Sequence, residues 1–288
     1  MRFSEFPYKR PDLAQYEEVF NKANERFVHA DNYSEAKQAL QELNHLRSEM
    51  AKNLKLAYIR FSIDNYDSFY REENEFWDHH EPLVGQIHNR FYQSLLRSPF
   101  RSQLEKEYPE TLFLFAEDQL RLLDDSVIEL KQQENEVVSQ YTLLIASAEL
   151  EFNGKTLTLS ELSAYFTDPS RETRRAAHEV YESFFTDHEE EIDAIYDQLV
   201  HNRHQQAKNL GFANYVEYGD RLMNRWGYDR SQLHAFRRFI VEKVVPINQK
   251  LYERQRERLG VEVLAHYDLP LVFPEGNPQP QGTSDELV

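Results

Sequence analysis

The 288-residue sequence contains no cysteine. That absence excludes a disulfide framework, thiolate zinc sites, iron–sulfur clusters and a cysteine nucleophile together, and it points to a reducing, cytoplasmic setting. Glycine and proline are scarce, at 8 and 11 residues, so the punctuation that many short strands require is missing. No window approaches the roughly 18 consecutive apolar residues of a membrane helix, and the start, Met1 to Pro11, lacks the apolar region of a secretory signal. Neither a membrane span nor export by that route is expected. Basic residues are outnumbered 50 to 33 by acidic ones, and the formal charge of -17 repels phosphate backbones and anionic lipid. Nucleic acid and membrane are therefore excluded as expected partners. The sequence also lacks a Gly-x-Ser-x-Gly elbow, a phosphate-cradling glycine loop, a Gly-x-Gly-x-x-Gly turn and a His-Glu-x-x-His zinc motif.

What is present is aromatic and helical. Low mean hydropathy (-0.74) alone would suggest disorder, but 17 Tyr and 19 Phe supply the large side chains of a packed core. After Pro11 and Asp12, the residues Leu13, Tyr16, Phe20, Ala23 and Phe27 draw one stripe down a helix that should end near Ala30. Ser34 is a candidate cap for the next, which carries Ala36, Leu40, Leu43, Met50, Leu54, Ala57 and Phe61, and the two should pack as a hairpin. A third stretch runs from 67 to 97 with Pro82 and Gly85 as kink candidates, and helices follow after Ser98-Pro99, Pro109 and Asp125. The one strand signal is 149–159, where Leu150, Phe152, Leu157 and Leu159 alternate with polar residues around Asn153-Gly154, a dipeptide suited to a tight hairpin turn. Further helices are expected after Asp168-Pro169, from Ile192 to a stop at Gly211, from 213 to 224, and from Asp229, whose pairing with Gln232 makes a capping box. That last helix carries Leu233, Phe236, Ile240, Val244, Ile247 and Leu251, with Pro246 expected to kink it. The segment Phe273 to Gly282 is rich in Pro, Gly, Asn and Gln and should be a loop. The expected class is all-α, an elongated multi-helix lobe with one small hairpin.

The candidate chemical groups are few. His178-Glu179-Val180-Tyr181-Glu182 sets a histidine and a carboxylate four residues apart without a second imidazole, and a solvated helix face accounts for such spacing. His201 and His204 share a face but lack a third ligand at any marked spacing, which a catalytic zinc needs. His79-His80-Glu81 diverges around its helix, and the runs Glu189-Glu190-Glu191 and Asp124-Asp125 read as solvated charge. The aromatic stripes read as core before they read as a peptide groove. On spacing alone the chain has no catalytic, cofactor-binding or metal residue, and no stoichiometric zinc is expected to bind it.

Several blocks nevertheless occur in a recognisable order. They are Arg2-Phe3-Ser4-Glu5-Phe6-Pro7-Tyr8-Lys9-Arg10-Pro11; Leu144-Ile145-Ala146-Ser147-Ala148 running into Asn153-Gly154; Leu210-Gly211-Phe212-Ala213-Asn214-Tyr215 followed by Arg221-Leu222-Met223-Asn224-Arg225; then Val245-Pro246, Leu251-Tyr252 and Tyr267-Asp268-Leu269-Pro270. Together they resemble the oligoendopeptidase F group of the thimet-type zinc oligopeptidases. The resemblance implies a helical body whose two lobes enclose a channel for short peptides, with zinc and the glutamate of a His-Glu-x-x-His motif performing hydrolysis. In that family the zinc helix lies downstream of the Pro-rich segment, so zinc belongs to the complete enzyme and no catalytic residue carries over to this chain. Residues 1–187 then correspond to the amino-terminal helical lobe with its hairpin, and 188–288 to the start of the catalytic region. The expected partners are short peptides and the missing carboxy-terminal catalytic part. The chain alone is not expected to be active. The alternative is a non-catalytic helical module that binds peptides or proteins.

Overall fold

The computed structural model describes residues 3–283. Its helices are α1 (Leu13–Val28), α2 (Tyr33–Ile63), α3 (Ser68–Arg97), α4 (Arg101–Glu107), α5 (Glu110–Leu122) and α6 (Ile128–Ala146). A hairpin of β1 (Leu150–Phe152) and β2 (Lys155–Leu157) precedes α7 (Leu159–Leu162), α8 (Arg171–Asp187), α9 (Glu189–Asn209), α10 (Tyr215–Leu222), α11 (Arg230–Phe239) and α12 (Val245–Leu259). The protein is all-α with one small antiparallel sheet, as the sequence indicates. It divides into two compact units that are interleaved along the chain: one up to Leu143 together with Ala194–Trp226, the other Leu144–Asp193 together with the chain from Gly227. Helix α9 passes from the second to the first, so these units follow a different partition from the family regions 1–187 and 188–288.

In the first unit the expected α1 stripe is the core. Phe20, Ala23 and Phe27 pack with Ala36, Leu40 and Leu43 of α2 and with Phe91 and Leu95 of α3. Removing a large apolar side chain of this kind from water contributes about 1.5–3 kcal/mol. Asp12 caps α1 by accepting from the Gln15 N–H at 3.0 Å. The cap of α2 is Asn32 rather than Ser34: its Oδ1 accepts from Glu35 N–H at 3.0 Å, while Glu35 accepts in return from Asp31 N–H, which places Ser34 inside the first turn. Helix α3 runs through Pro82 without ending. Gly85 serves packing, because a Cβ there would lie 2.5 Å from Leu123 Cδ2. At Ser98-Pro99 the serine hydroxyl accepts from Phe100 N–H at 3.2 Å, and α4 begins two residues later than the proline suggests. Helix α9 stops before Gly211, whose φ of 80° is the left-handed conformation a helix stop requires.

The second unit is built around the hairpin and α8. Asn153 and Gly154 both have positive φ, 51° and 72°, and Leu150 pairs with Leu157 across the ladder. Leu150 and Phe152 are buried while Glu151 is exposed, and Phe152 meets Tyr165 edge-on at 4.9 Å. The alternation that runs on to Leu159 does not continue the strand. Thr158 instead caps α7 in a capping box with Glu161, so Leu159 is the first helical residue. Asp229 and Gln232 form the expected box at α11. Between α11 and α12 the helix continues through a π-helical turn, Ile240–Val244, in which Val245 N–H donates to Ile240 C=O, and Pro246, which has no N–H to donate, follows directly in the first turn of α12. The stripe on these two helices is not core: Phe236, Ile247 and Leu251 are 60%, 59% and 51% exposed. Among the described residues beyond Gly260 the chain is non-helical apart from one 3-10 turn at His266–Asp268, and Asn277 ties the loop by accepting from Val272 N–H and donating to Pro270 C=O, both at 2.7 Å. Among the described residues, no helix is long and apolar enough to cross a membrane.

Candidate functional site

The most organised polar structure of the second unit joins the first turn of α8 to the 3-10 turn His266–Asp268. Ser170 caps α8 by accepting from Thr173 N–H at 3.3 Å, which places Arg171 and Arg174 one turn apart on one side. Both reach Asp268, whose side chain is fully buried. Arg174 donates to Oδ1 and Arg171 to Oδ2, each at 2.8 Å, and Ala265 N–H donates to Oδ2 at 2.9 Å. Burial works against a charge on Asp268, but the Arg171, Ala265 and Arg174 donors outweigh it and hold the carboxyl down at about 2. Arg174 also donates to the carbonyls of Asp168, Pro169 and Tyr267, at 2.8, 3.1 and 3.2 Å. From α12, the buried Gln255 amide donates to the carbonyls of Asp268, Leu269 and Leu271, at 3.2, 3.1 and 2.7 Å. These bonds satisfy backbone groups that a non-helical segment would otherwise bury unpaired. They fix the turn on α8.

One consequence is where His266 lands. It approaches the half-buried His178 and the exposed Glu182, which lie four residues apart on α8. One ligand atom from each of the three lies within 4.8 Å of the others. His266 Nε2 is 2.9 Å from Glu182 Oε1, and the two imidazoles meet edge-to-face at 5.3 Å. Phe166 stacks on the face of His178 with centroids 3.9 Å apart, which orients its ring. His178 Nε2 is buried and meets no hydrogen-bond partner. Burial first, and then the nearby His266, lower the pKa of His178, with Glu182 opposing, so the ring favours the neutral form that has a lone pair to offer.

The remaining candidates are scattered. His201 and His204 are both exposed, and His201 Nδ1 donates to Asp197 C=O at 2.7 Å. His80 stacks on Phe76 at 4.2 Å and donates to its carbonyl, while His79 and Glu81 are exposed. Asp124 accepts from Ser126 N–H at 2.8 Å, Asp125 accepts from the Gln86 amide at 2.6 Å, and Glu189, Glu190 and Glu191 occupy the first turn of α9, where negative charge complements the helix dipole. Sequence spacing missed His266, which is far from His178 along the chain. Its neighbours Tyr267-Asp268-Leu269-Pro270, which carried part of the family resemblance, were the one signal that this turn is specified.

The model of the peptidase M3 N-terminal domain matches residues 3–123, and that of peptidase family M3 matches residues 164–275. The chain belongs to peptidase family M3. Solved structures agree with it along its full length. An oligoendopeptidase F solved at 3.1 Å is 41% identical with a TM-score of 0.94, covering 100% of this chain and 51% of its own. PZ peptidase A, solved with an inhibitor, is 42% identical with a TM-score of 0.93, covering 99% of this chain and 51% of its own. An oligoendopeptidase F from Bacillus anthracis is 40% identical with a TM-score of 0.93, covering 100% and 53%. The chain therefore spans about half the length of these relatives. No curated protein matches it. The M3 family consists of metallopeptidases, but the α8 trio does not fit the catalytic zinc of a His-Glu-x-x-His motif. Glu182 stands where that pattern needs its second imidazole, and Glu179, in the place of the general base, is exposed and paired with Arg175 at 2.8 Å.

Proposed function

We propose that this chain is the amino-terminal part of an oligoendopeptidase F-like zinc peptidase and contributes scaffold, not the catalytic metal, to the hydrolysis of short peptides. The observation that carries this reading is end-to-end agreement with M3 structures of which the chain covers about half, in a sequence without a His-Glu-x-x-His string. A zinc-bound water has a pKa near 7, against about 15.7 in bulk; a chain without the family's ligands and general base has no such hydroxide to deliver. The remainder of the catalytic region, with its zinc helix, is the proposed partner. The exposed stripe of Phe236, Ile247 and Leu251 on α11 and α12 supports this, since apolar side chains aligned at helical spacing and left uncovered mark an interaction surface. Composition without cysteine fits a cytoplasmic setting.

The test is hydrolysis of quenched short peptides by this chain, by a polypeptide that carries the zinc helix, and by their mixture, with and without chelator. The expected result is no turnover by this chain and chelator-sensitive turnover by the mixture. Turnover by this chain alone, lost with chelator, overturns the proposal. Tight peptide binding without turnover in any combination favours the binding-module alternative.

A further inference from the structure

We propose that His178, Glu182 and His266 form a second metal site in this protein, distinct from the family's catalytic zinc, which takes one borderline divalent cation of the Zn2+ type and clips the His266–Asp268 turn to α8. The chemistry of the donors selects the ion class. Two imidazoles and one carboxylate suit Zn2+, Ni2+, Cu2+ or Co2+, whereas Mg2+ and Ca2+ require mostly oxygen ligands. Glu182 brings a carboxylate to the site and the chain as a whole carries a formal charge of -17, so a divalent cation is electrostatically welcome.

The geometry needs only a small adjustment. Zinc sits about 2.0–2.1 Å from nitrogen and 2.0–2.2 Å from carboxylate oxygen, which in a tetrahedron separates ligand atoms by about 3.3 Å. The contact of 2.9 Å between His266 and Glu182 must open by a few tenths of an ångström, and the widest separation, 4.8 Å, must close by about 1.5 Å. Both movements fall to side chains that are free to turn, since Glu182 and His266 are 56% and 59% exposed. His178 supplies the fixed point: Phe166 holds its ring. Its buried Nε2 lacks a partner, an arrangement that leaves a polar atom unsatisfied and that a metal bond would satisfy.

Two observations argue against an accidental encounter of surface residues. The turn that carries His266 is held by a buried carboxylate with two arginines and by three bonds from Gln255. Support of this kind, one shell behind the ligands, is what keeps them in position when the metal is absent. The exposed sides of Glu182 and His266 also leave an open fourth position for water, and an entry path.

The test is calorimetric titration of the 288-residue chain with Zn2+ at neutral pH, repeated with Co2+, whose visible absorption reports tetrahedral nitrogen and oxygen ligation. One equivalent is expected to bind. His266→Ala, which alters an exposed side chain, and His178→Phe, which keeps a ring against Phe166, should each weaken binding by at least the roughly 10- to 100-fold that loss of even an outer partner costs at metal sites. His201→Ala should change nothing, and Mg2+ should not compete. Circular dichroism confirms that the variants are folded. Failure to bind Zn2+ at millimolar concentration, or binding that survives both His266→Ala and His178→Phe, overturns the proposal. Because no step uses the missing catalytic region, this outcome is independent of whether the mixture above hydrolyses peptides.

Discussion

Helix α1 and the pair α11–α12 carry apolar stripes of the same period, yet one is the centre of a core and the other faces outward. Phe20 of α1 is 0% exposed, enclosed by α2 and α3, whereas Phe236 of α11 is 60% exposed. The difference does not lie in the stripes themselves, which obey the same three-and-four spacing. It lies in the neighbours: α1 is followed at once by long helices with matching faces, and α11–α12 is followed by a Pro-rich loop. A periodic stripe announces that a face is to be buried and leaves open which partner buries it.

The comparison is broken most directly at Phe20. Phe20→Ala should destabilise the first unit by about 3–5 kcal/mol, the usual consequence of emptying a large core site. Urea unfolding followed by tryptophan fluorescence reads it, because Trp77 and Trp226 both belong to that unit. Arg174→Ala comes next. It leaves the buried Asp268 with fewer donors, and breaking such a pair costs about 3 kcal/mol or more; hydrogen exchange of the amides around Ala265 and Asp268 should rise strongly.

Acid separates the two units in sign. Asp268 is held down at about 2, so its contribution is present above the ordinary carboxylate range and lost as pH falls from about 4 toward 2. The loss is roughly 2 kcal/mol, and Asp268→Asn should flatten that limb while lowering stability at neutral pH. Asp78 of the first unit behaves oppositely. Burial is the main cause that lifts it to about 6, helped by Glu81, Glu136 and Glu75 and opposed by the Ser139 hydroxyl. Its contribution is fullest below the ordinary range and is lost as pH rises through 6, so Asp78→Asn should stabilise the protein at pH 7 and lose that advantage at pH 4. Thermal unfolding across this range checks both signs.

The smallest effect is the most informative. Phe236→Ala should change the stability of this chain by no more than about 0.5 kcal/mol, as for an ordinary surface substitution. The same substitution should weaken association with the zinc-bearing remainder, read by titration calorimetry of the two pieces. A large loss of stability in the isolated chain would show that the stripe is already packed.

Much of the fold was written locally. The Asn153-Gly154 turn, the capping box of Asp229 with Gln232 and the left-handed stop at Gly211 depend on a few consecutive residues, and each appears in the structure. Where local signals competed, sequence reading slipped by a residue or two. Asn32 outcompeted Ser34 because its side chain and Glu35 satisfy free N–H groups reciprocally, and Thr158 turned a strand-like alternation into a helix start. The candidate site was legible only in half. His178 and Glu182 are placed together by helical periodicity, but His266 reaches them because Asp268 is clamped by Arg171 and Arg174. Periodicity and capping act over one or two turns, so the sequence by itself determined which segments are helical and which faces are apolar. Contacts between segments distant along the chain depend on the whole packed arrangement, so only the tertiary structure decided that Phe20 is covered, that Phe236 is not, and that a histidine in a loop lies beside His178 and Glu182.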